Sequence, residues 1–272
     1  MRPDSTASFF PASRGGNRIL ALLRLPYDYF VFYAGLALFG LICLGWSLVA
    51  IVLHPLLPRR MGAPLGQFAI MAVFRMFLFA LKASGIVKCD LGALDALRKE
   101  RSLIIAPNHP SLLDVVLVAS RLPHITCIMK AQIWDNVFLG GGARLAGYIR
   151  NDSPGSMIRL AAAATREGSQ LLVFPEGTRT LQYPVNDFKG GFALIAKTAG
   201  IPIQTVFIEA NTSFLGKGWP LLRKPAFPLA YRVRLGERFD VTGDVKAFVA
   251  DLEDYYRQTL AAGSAGPRET NR

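Results

Sequence analysis

Ser102-Leu-Ile-Ile-Ala-Pro-Asn-His-Pro-Ser-Leu-Leu-Asp114 is the stretch on which the reading of the chain turns. The apolar run Leu103 to Ala106, with two adjacent isoleucines, reads as a buried strand. Pro107 stops it, and Asn108-His109-Pro110 forms a tight turn. Ser111 reads as a helix N-cap ahead of the apolar run Leu112 to Leu122. His109 therefore stands at the exit of a strand, with Asp114 in the first turn of the next helix. Taken alone, the stretch has two readings. In one, Asp114 orients His109 as a general base, since a carboxylate on one ring nitrogen fixes the tautomer. In the other, Ser111 and Asp114 form an S-x-x-D cap and His109 is an ordinary loop residue.

Working outward, the chain from Gly85 onward alternates strand and helix patterns. Strands are expected at Ser102 to Ala106, Ile125 to Met129, Leu171 to Phe174, Ile203 to Ile208 and Leu229 to Leu235. Helices are expected at Leu91 to Glu100, Leu112 to Leu122, Ser156 to Glu167 and Gly191 to Ala199, and an amphipathic one at Asp244 to Leu260. This alternation defines an α/β class, a mostly parallel or mixed sheet flanked by helices. Reactive groups in such sheets gather at the carboxyl ends of strands. His109 lies at one such end, and so does Phe174-Pro-Glu-Gly-Thr-Arg-Thr180. In that second motif Glu176 and Arg179 form either a local ion pair or two parts of a site. A guanidinium fork matches phosphate oxygens, and Gly177 permits close backbone approach to a ligand.

Composition narrows the partners. Half of the 272 residues are hydrophobic and only 18% are charged, yet Lys and Arg outnumber Asp and Glu by 31 to 19. An apolar chain with a formal charge of +12 fits an anionic membrane surface and anionic substrates. Basic clusters interleaved with aromatics, as nucleic acid binding requires, are not seen. Phe30 to Leu53 carries no charged side chain and would make a helix about 36 Å long, enough to cross a bilayer core. Tyr27, Tyr29, Tyr33 and Trp46 suit the membrane interface, and Arg24, Arg59 and Arg60 flank the segment. A second apolar stretch, Phe68 to Leu81, contains Arg75 and reads as an interfacial helix or the return arm of a hairpin. Cys43, Cys89 and Cys127 are widely spaced, which argues against a disulfide framework or zinc site and for a reducing compartment.

The two motifs, 67 residues apart from His109 to Glu176, resemble those of the glycerolipid acyltransferase family, bacterial 1-acylglycerol-3-phosphate acyltransferases in particular. The resemblance covers roughly Gly85 to Ala210. It takes in Ile128-Met-Lys130, Phe188-Lys-Gly-Gly191 and Gly200-Ile-Pro-Ile203. It implies transfer of a fatty acyl group from acyl-CoA or acyl-carrier protein to the hydroxyl of a membrane lipid, with no bound cofactor or metal. It further implies a bacterial inner-membrane location with the catalytic domain on the cytoplasmic side. His109 and Asp114 would be the catalytic pair. Glu176, Gly177, Thr178, Arg179, Lys130 and Arg150 would form the acceptor site, and amides near the Ser111 helix start would bind the oxyanion.

One block departs from the family pattern Gly-x-x-Phe-Ile-x-Arg: here Ala146-Gly-Tyr-Ile-Arg-Asn-Asp152 puts Arg150 directly after Ile149. On a strand, a one-residue shift turns a side chain to the opposite face. Acceptors other than 1-acylglycerol-3-phosphate, whether another lyso-lipid or a specialised hydroxylated metabolite, stay open, as does an inactive lipid-binding scaffold. His54 and His124 read as structural or interfacial, and Gly140-Gly-Gly142 as a flexible loop beside the acceptor site. The expected organisation is a tail and anchoring helices over 1–84, the α/β domain over 85–260, and a disordered tail over 261–272.

Overall fold

A computed structural model describes residues 18–263, with side chains over 24–262. The expected loose N-terminus therefore lies outside the described residues, apart from Arg18. Of the expected C-terminal tail, 261–263 complete the last helix and the remainder lies outside.

Seven strands form one sheet: β1 (Val87–Asp90), β2 (Leu103–Pro107), β3 (Ile125–Lys130), β4 (Ile149–Asn151), β5 (Gln170–Leu172), β6 (Ile203–Ala210) and β7 (Leu229–Phe239). Their order is β1-β7-β6-β2-β5-β3-β4. Every neighbouring pair is parallel except β6 and β7, so the sheet is mixed. The helices are α1 (Arg18–Leu56), α2 (Arg59–Ala83), α3 (Leu113–Ala119), α4 (Ala131–Trp134), α5 (Gly140–Leu145), α6 (Pro154–Arg166), α7 (Gly191–Ala199) and α8 (Val245–Gly263).

β2 occupies the middle of the sheet because all its side chains are apolar and both its faces are covered. Side chains alternate across a strand. Leu103 and Ile105 thus join the core beneath α1, α2 and α3, while Ile104 and Ala106 join the core beneath α6, α7 and α8. Tyr256 of α8 donates its hydroxyl to Ala106 O and accepts from Val206 N–H at 3.3 Å, tying the second layer to β2 and β6.

α1 and α2 are both long and apolar enough to cross a membrane. They form an antiparallel hairpin through Leu57-Pro58, so the Phe68 to Leu81 stretch is its return arm. Tyr27 Oη reaches Ser84 O at 2.9 Å, and Phe39 packs on Phe74 and Phe77. The hairpin shares the core of the sheet rather than standing apart from it. Phe32 packs against Phe214 and Phe227, and Ser47 Oγ donates to Phe138 O at 2.9 Å. One stripe of α1, including Phe32, Cys43, Ser47 and Ala50, is buried on the domain. The opposite stripe is equally apolar but exposed, at Phe30, Leu41, Leu48, Val52 and Leu56. On α2 the exposed stripe is Met61, Leu65, Phe68, Met76 and Phe79. A contiguous apolar surface of this length needs a cover that water does not supply. It marks the chain as membrane-associated.

Several expectations are corrected. Leu91 to Glu100 is a 3-10 turn over Gly92–Leu97, and β1 and β4 are strands that the pattern did not reveal. Gly140-Gly-Gly142 is no flexible loop: it opens α5, which is docked on α1. A Cβ on Gly141 would meet Ser47 O at 2.4 Å and Ile51 Cγ1 at 2.9 Å, so only glycine lets the two helices approach this closely. Gly141→Val should therefore lower stability by about 1–3 kcal/mol, the usual cost of overpacking. Gly45→Ala, facing open space on α1, should leave it unchanged or slightly raised. Thermal unfolding of both variants in detergent checks this, and equal melting temperatures would refute the close-packing account.

Candidate active site

The site is built at the carboxyl end of β2. Asn108 extends the strand with its side chain: Nδ2 donates to Ile208 O at 3.0 Å, and Oδ1 accepts from Ile208 N–H at 2.7 Å. An amide side chain here mimics the backbone partner that β6 would otherwise lose. The next residue, His109, turns out of the sheet with its position fixed on both sides of its own peptide. Its N–H donates to Glu176 Oε1 at 2.9 Å, and its carbonyl accepts from Thr180 N–H at 2.8 Å.

His109 Nδ1 lies 2.9 Å from Asp114 Oδ2, which also accepts the Ser111 N–H at 2.7 Å. Asp114 is fully buried and His109 is 9% exposed. Burial pushes the Asp114 carboxyl up to about 6, against the lowering effect of its bonds to His109 and Ser111. The imidazole stacks on Phe174, with ring centroids 3.8 Å apart and planes 19° from parallel. Its orientation is thus set by a carboxylate at one edge and an aromatic ring on one face. Nε2 has no hydrogen-bond partner among the described residues. A ring held this way can take a proton at Nε2 while Asp114 holds the proton on Nδ1.

Glu176 is 1% exposed and does not pair with Arg179. Besides the His109 N–H it accepts Thr180 Oγ1 at 2.8 Å and Asn186 N–H at 2.9 Å, so it joins the two motif loops. Gly177 turns the chain with φ +66°, an exposed left-handed position that a β-carbon would strain. Thr178 is partly buried on the same turn. Arg179 donates through Nη1 to Leu215 O at 2.9 Å and Gly216 O at 2.8 Å. Both protons of that nitrogen are used on the β6–β7 loop, and Nε and Nη2 have no hydrogen-bond partner among the described residues.

Two other expected site residues lie farther along the edge. Lys130 is exposed at the end of β3. Arg150 is on β4, beside buried Ile149, and sits 2.9 Å from Asp152 and 3.4 Å from Asp135. A separate cleft of about 590 Å³ lies at this edge, bordered by Arg59, Arg144, Tyr148, Arg150 and Asp152. None of His109, Asp114, Glu176 or Arg179 lines it. The helix-start amides expected to bind an oxyanion are already bonded. Ser111 N–H is held by Asp114, Leu112 N–H by Leu215 O at 3.1 Å, and Leu113 N–H by Ser111 Oγ at 3.2 Å. Ser111 Oγ itself donates to Phe214 O at 2.9 Å. Motif reading missed the β6–β7 loop as a wall of the site, because it is about a hundred residues away in sequence.

Residues 89–209 match the Acyltransferase family model. The lyso-ornithine lipid O-acyltransferase of Pseudomonas aeruginosa is 33% identical over 66% of this chain and 71% of its own. The 1-acyl-sn-glycerol-3-phosphate acyltransferase of the same organism is 21% identical over 79% of this chain and 84% of its own. The crystal structure of the 1-acyl-sn-glycerophosphate (LPA) acyltransferase PlsC from Thermotoga maritima has the same fold. It superposes with a TM-score of 0.66 at 19% identity, covering 92% of this chain and 98% of that one. The protein is an acyltransferase. It belongs to the glycerolipid acyltransferase family.

Because Glu176 satisfies buried donors from both loops, Glu176→Ala should destabilise the fold by at least about 1–3 kcal/mol. Glu176→Gln, which keeps an acceptor oxygen, should cost less. Urea titrations order the three proteins, and an Ala variant as stable as the parent would show that Glu176 does not brace the turn.

Proposed function

We propose that this protein transfers a fatty acyl group from an acyl-CoA or acyl-carrier-protein thioester to the hydroxyl of a lyso-lipid, with His109 as general base. The observation that carries the reading is the buried His109–Asp114 pair with Nε2 left free. The acceptor hydroxyl gives its proton to Nε2 as its oxygen attacks the thioester carbonyl. The tetrahedral adduct then expels the thiolate, which takes that proton back from Nε2 and leaves as the thiol. Asp114 acts through the imidazole, holding the tautomer and stabilising the transient imidazolium. The membrane hairpin supports a lipid acceptor, and the donors named are water-soluble carriers made on the cytoplasmic side of the inner membrane.

The acceptor that fits best is 1-acylglycerol-3-phosphate, giving phosphatidic acid. Arg179 is the group favoured for its phosphate, through Nε and Nη2. Lys130 adds positive charge on the same sheet edge, and Gly177 and Thr178 shape the turn between. Arg150 is better matched to Asp135 and Asp152 than to a ligand. That pairing, together with the 33%-identical relative named for lyso-ornithine lipid, supports a second reading in which the acceptor carries an amino-acid head group.

Thiol release from a long-chain acyl thioester, measured with each acceptor in turn, decides between them. His109→Ala should lower acceptor-dependent release by roughly 10²–10⁴, the usual contribution of a general base, with the melting temperature retained. Release equal to wild type would remove His109 from the mechanism.

The Asp114 carboxyl adds a pH signature. Its folded value, about 6, lies above the ordinary 3.8. The native state therefore holds this proton more tightly, and the contribution of this group to stability is lost as pH rises through 6. Activity moves the other way, because only the ionised carboxylate can hold the Nδ1 proton. The expected kcat/KM profile falls as pH drops through about 6 while the fold persists. A flat profile from pH 5 to 7, with Asp114→Asn fully active, would overturn the dyad.

A further inference from the structure

The β6–β7 loop, residues 211–228, has chemistry that the reaction does not use. It holds Lys217, Arg223 and Lys224 and no acidic residue. Its base is buried, with Phe214 at 6% exposure, but Leu221 and Leu222 at its tip are 58% and 67% exposed. These two leucines contribute nothing to the core. They are nevertheless held in place. Arg223 N–H donates to Pro220 O at 3.0 Å, and Trp219 Nε1 donates to Arg223 O at 3.0 Å. The Arg223 guanidinium lies 5.1 Å over the Trp219 ring. On the other side Tyr33 Oη donates to Leu222 O at 3.3 Å, and Lys224 Nζ sits 5.2 Å from the Tyr29 ring and 5.1 Å from that of Phe227.

The tip is thereby fastened to α1 at the start of its exposed apolar stripe, where Phe30 is 71% exposed. Leucines, aromatic rings and cations thus form one continuous surface. We infer that the tip Leu221-Leu222-Arg223-Lys224 is a membrane-contacting element additional to the helical hairpin, docking on an anionic bilayer surface. The leucines would enter the acyl boundary, the cations would meet lipid phosphates, and the tyrosines and Trp219 would lie at the head-group level. A bilayer is the favoured occupant because the patch continues the membrane face of α1 and carries only positive charge.

The contact bears on the site. The same loop supplies Phe214 O to Ser111, Leu215 O to Leu112 N–H, and Leu215 O and Gly216 O to Arg179. Anchoring its tip at the lipid surface fixes the wall of the site next to the leaflet that holds the acceptor.

The test uses the full chain with vesicles of phosphatidylcholine and phosphatidylglycerol containing brominated acyl chains. The Trp219 signal is taken as the difference between wild type and Trp219→Phe. Bromolipid should quench it in wild type and not in Leu221→Asp/Leu222→Asp. The same double variant should lose at least roughly tenfold of the vesicle activity, since its tip no longer offers two exposed leucines to the bilayer. In detergent micelles, where the acceptor is presented without a bilayer, its activity should stay within about twofold of wild type. Arg223→Glu/Lys224→Glu should be impaired on anionic but not on neutral vesicles. Unquenched Trp219 in wild type, or equal activity loss on vesicles and micelles, would overturn the docking role. The quenching readout requires no acyl transfer, so it stands apart from the fate of the proposed reaction.

Discussion

Two carboxylates, Asp114 and Glu176, are buried around one turn, and neither pairs with a lysine or arginine among the described residues. A carboxylate removed from water must be met by hydrogen-bond donors or it destabilises the fold by several kcal/mol. Here the donors are mainly backbone N–H groups of the turns themselves: His109 and Asn186 for Glu176, Ser111 for Asp114, joined by the Thr180 hydroxyl and the His109 ring. The path of the chain from Pro107 to Asp114 follows from that requirement. The prolines at 107 and 110 suit it, since they add no N–H that would need another partner. Asn108 closes the remaining gap against β6. The His109 ring is placed by its bond to Asp114 Oδ2, while Asp114 Oδ1 is buried without a hydrogen-bond partner among the described residues, in keeping with the raised affinity of this carboxyl for its proton.

The second constraint is the apolar hairpin. A helix apolar around its whole circumference is stable only where both faces are covered. The α/β domain covers one face of α1 and α2, and a lipid environment suits the other. This fits the absence of charge from Phe30 to Leu53: the cations nearest that segment, Arg24, Arg59 and Arg60, flank it, where head groups would lie. Because α1 is held to the domain at Phe32 and again at Ser47, it places the domain as well as anchoring it.

The features legible in the sequence are those with local causes. The β2 strand shows as an uninterrupted apolar run, and His109 and Asp114 show because their five-residue spacing spans a single turn. The long helices show by the absence of charge. What stayed hidden depends on contacts distant in sequence. The tie of Glu176 to the His109 N–H, 67 residues away, has no local signal. The amides after His109 read as free until their partners are seen: Asp114 for Ser111, the β6–β7 loop at Leu215 for Leu112, and the Ser111 hydroxyl for Leu113. Strands of four and three residues, β1 and β4, are too short for a periodic signal. Gly140-Gly-Gly142 reads as a loop from propensity, but the close approach of α1 decides its conformation.

The dimensions of the sheet divide the basic residues between roles. From β2 to β4 the order runs β2-β5-β3-β4, so three strand spacings separate His109 from Arg150, roughly 14 Å. In 1-acylglycerol-3-phosphate the reacting hydroxyl oxygen and the phosphorus are four bonds apart, a span of no more than roughly 6 Å. One acceptor molecule at His109 cannot comfortably reach a guanidinium held on Asp135 and Asp152 at the far edge. Arg179 is on the same turn as Glu176, which bonds directly to the His109 peptide. In the proposed reaction the phosphate partner is therefore the arginine of the second motif. The off-register position of Arg150 need not weaken acceptor binding, because that residue stabilises the β4 edge instead.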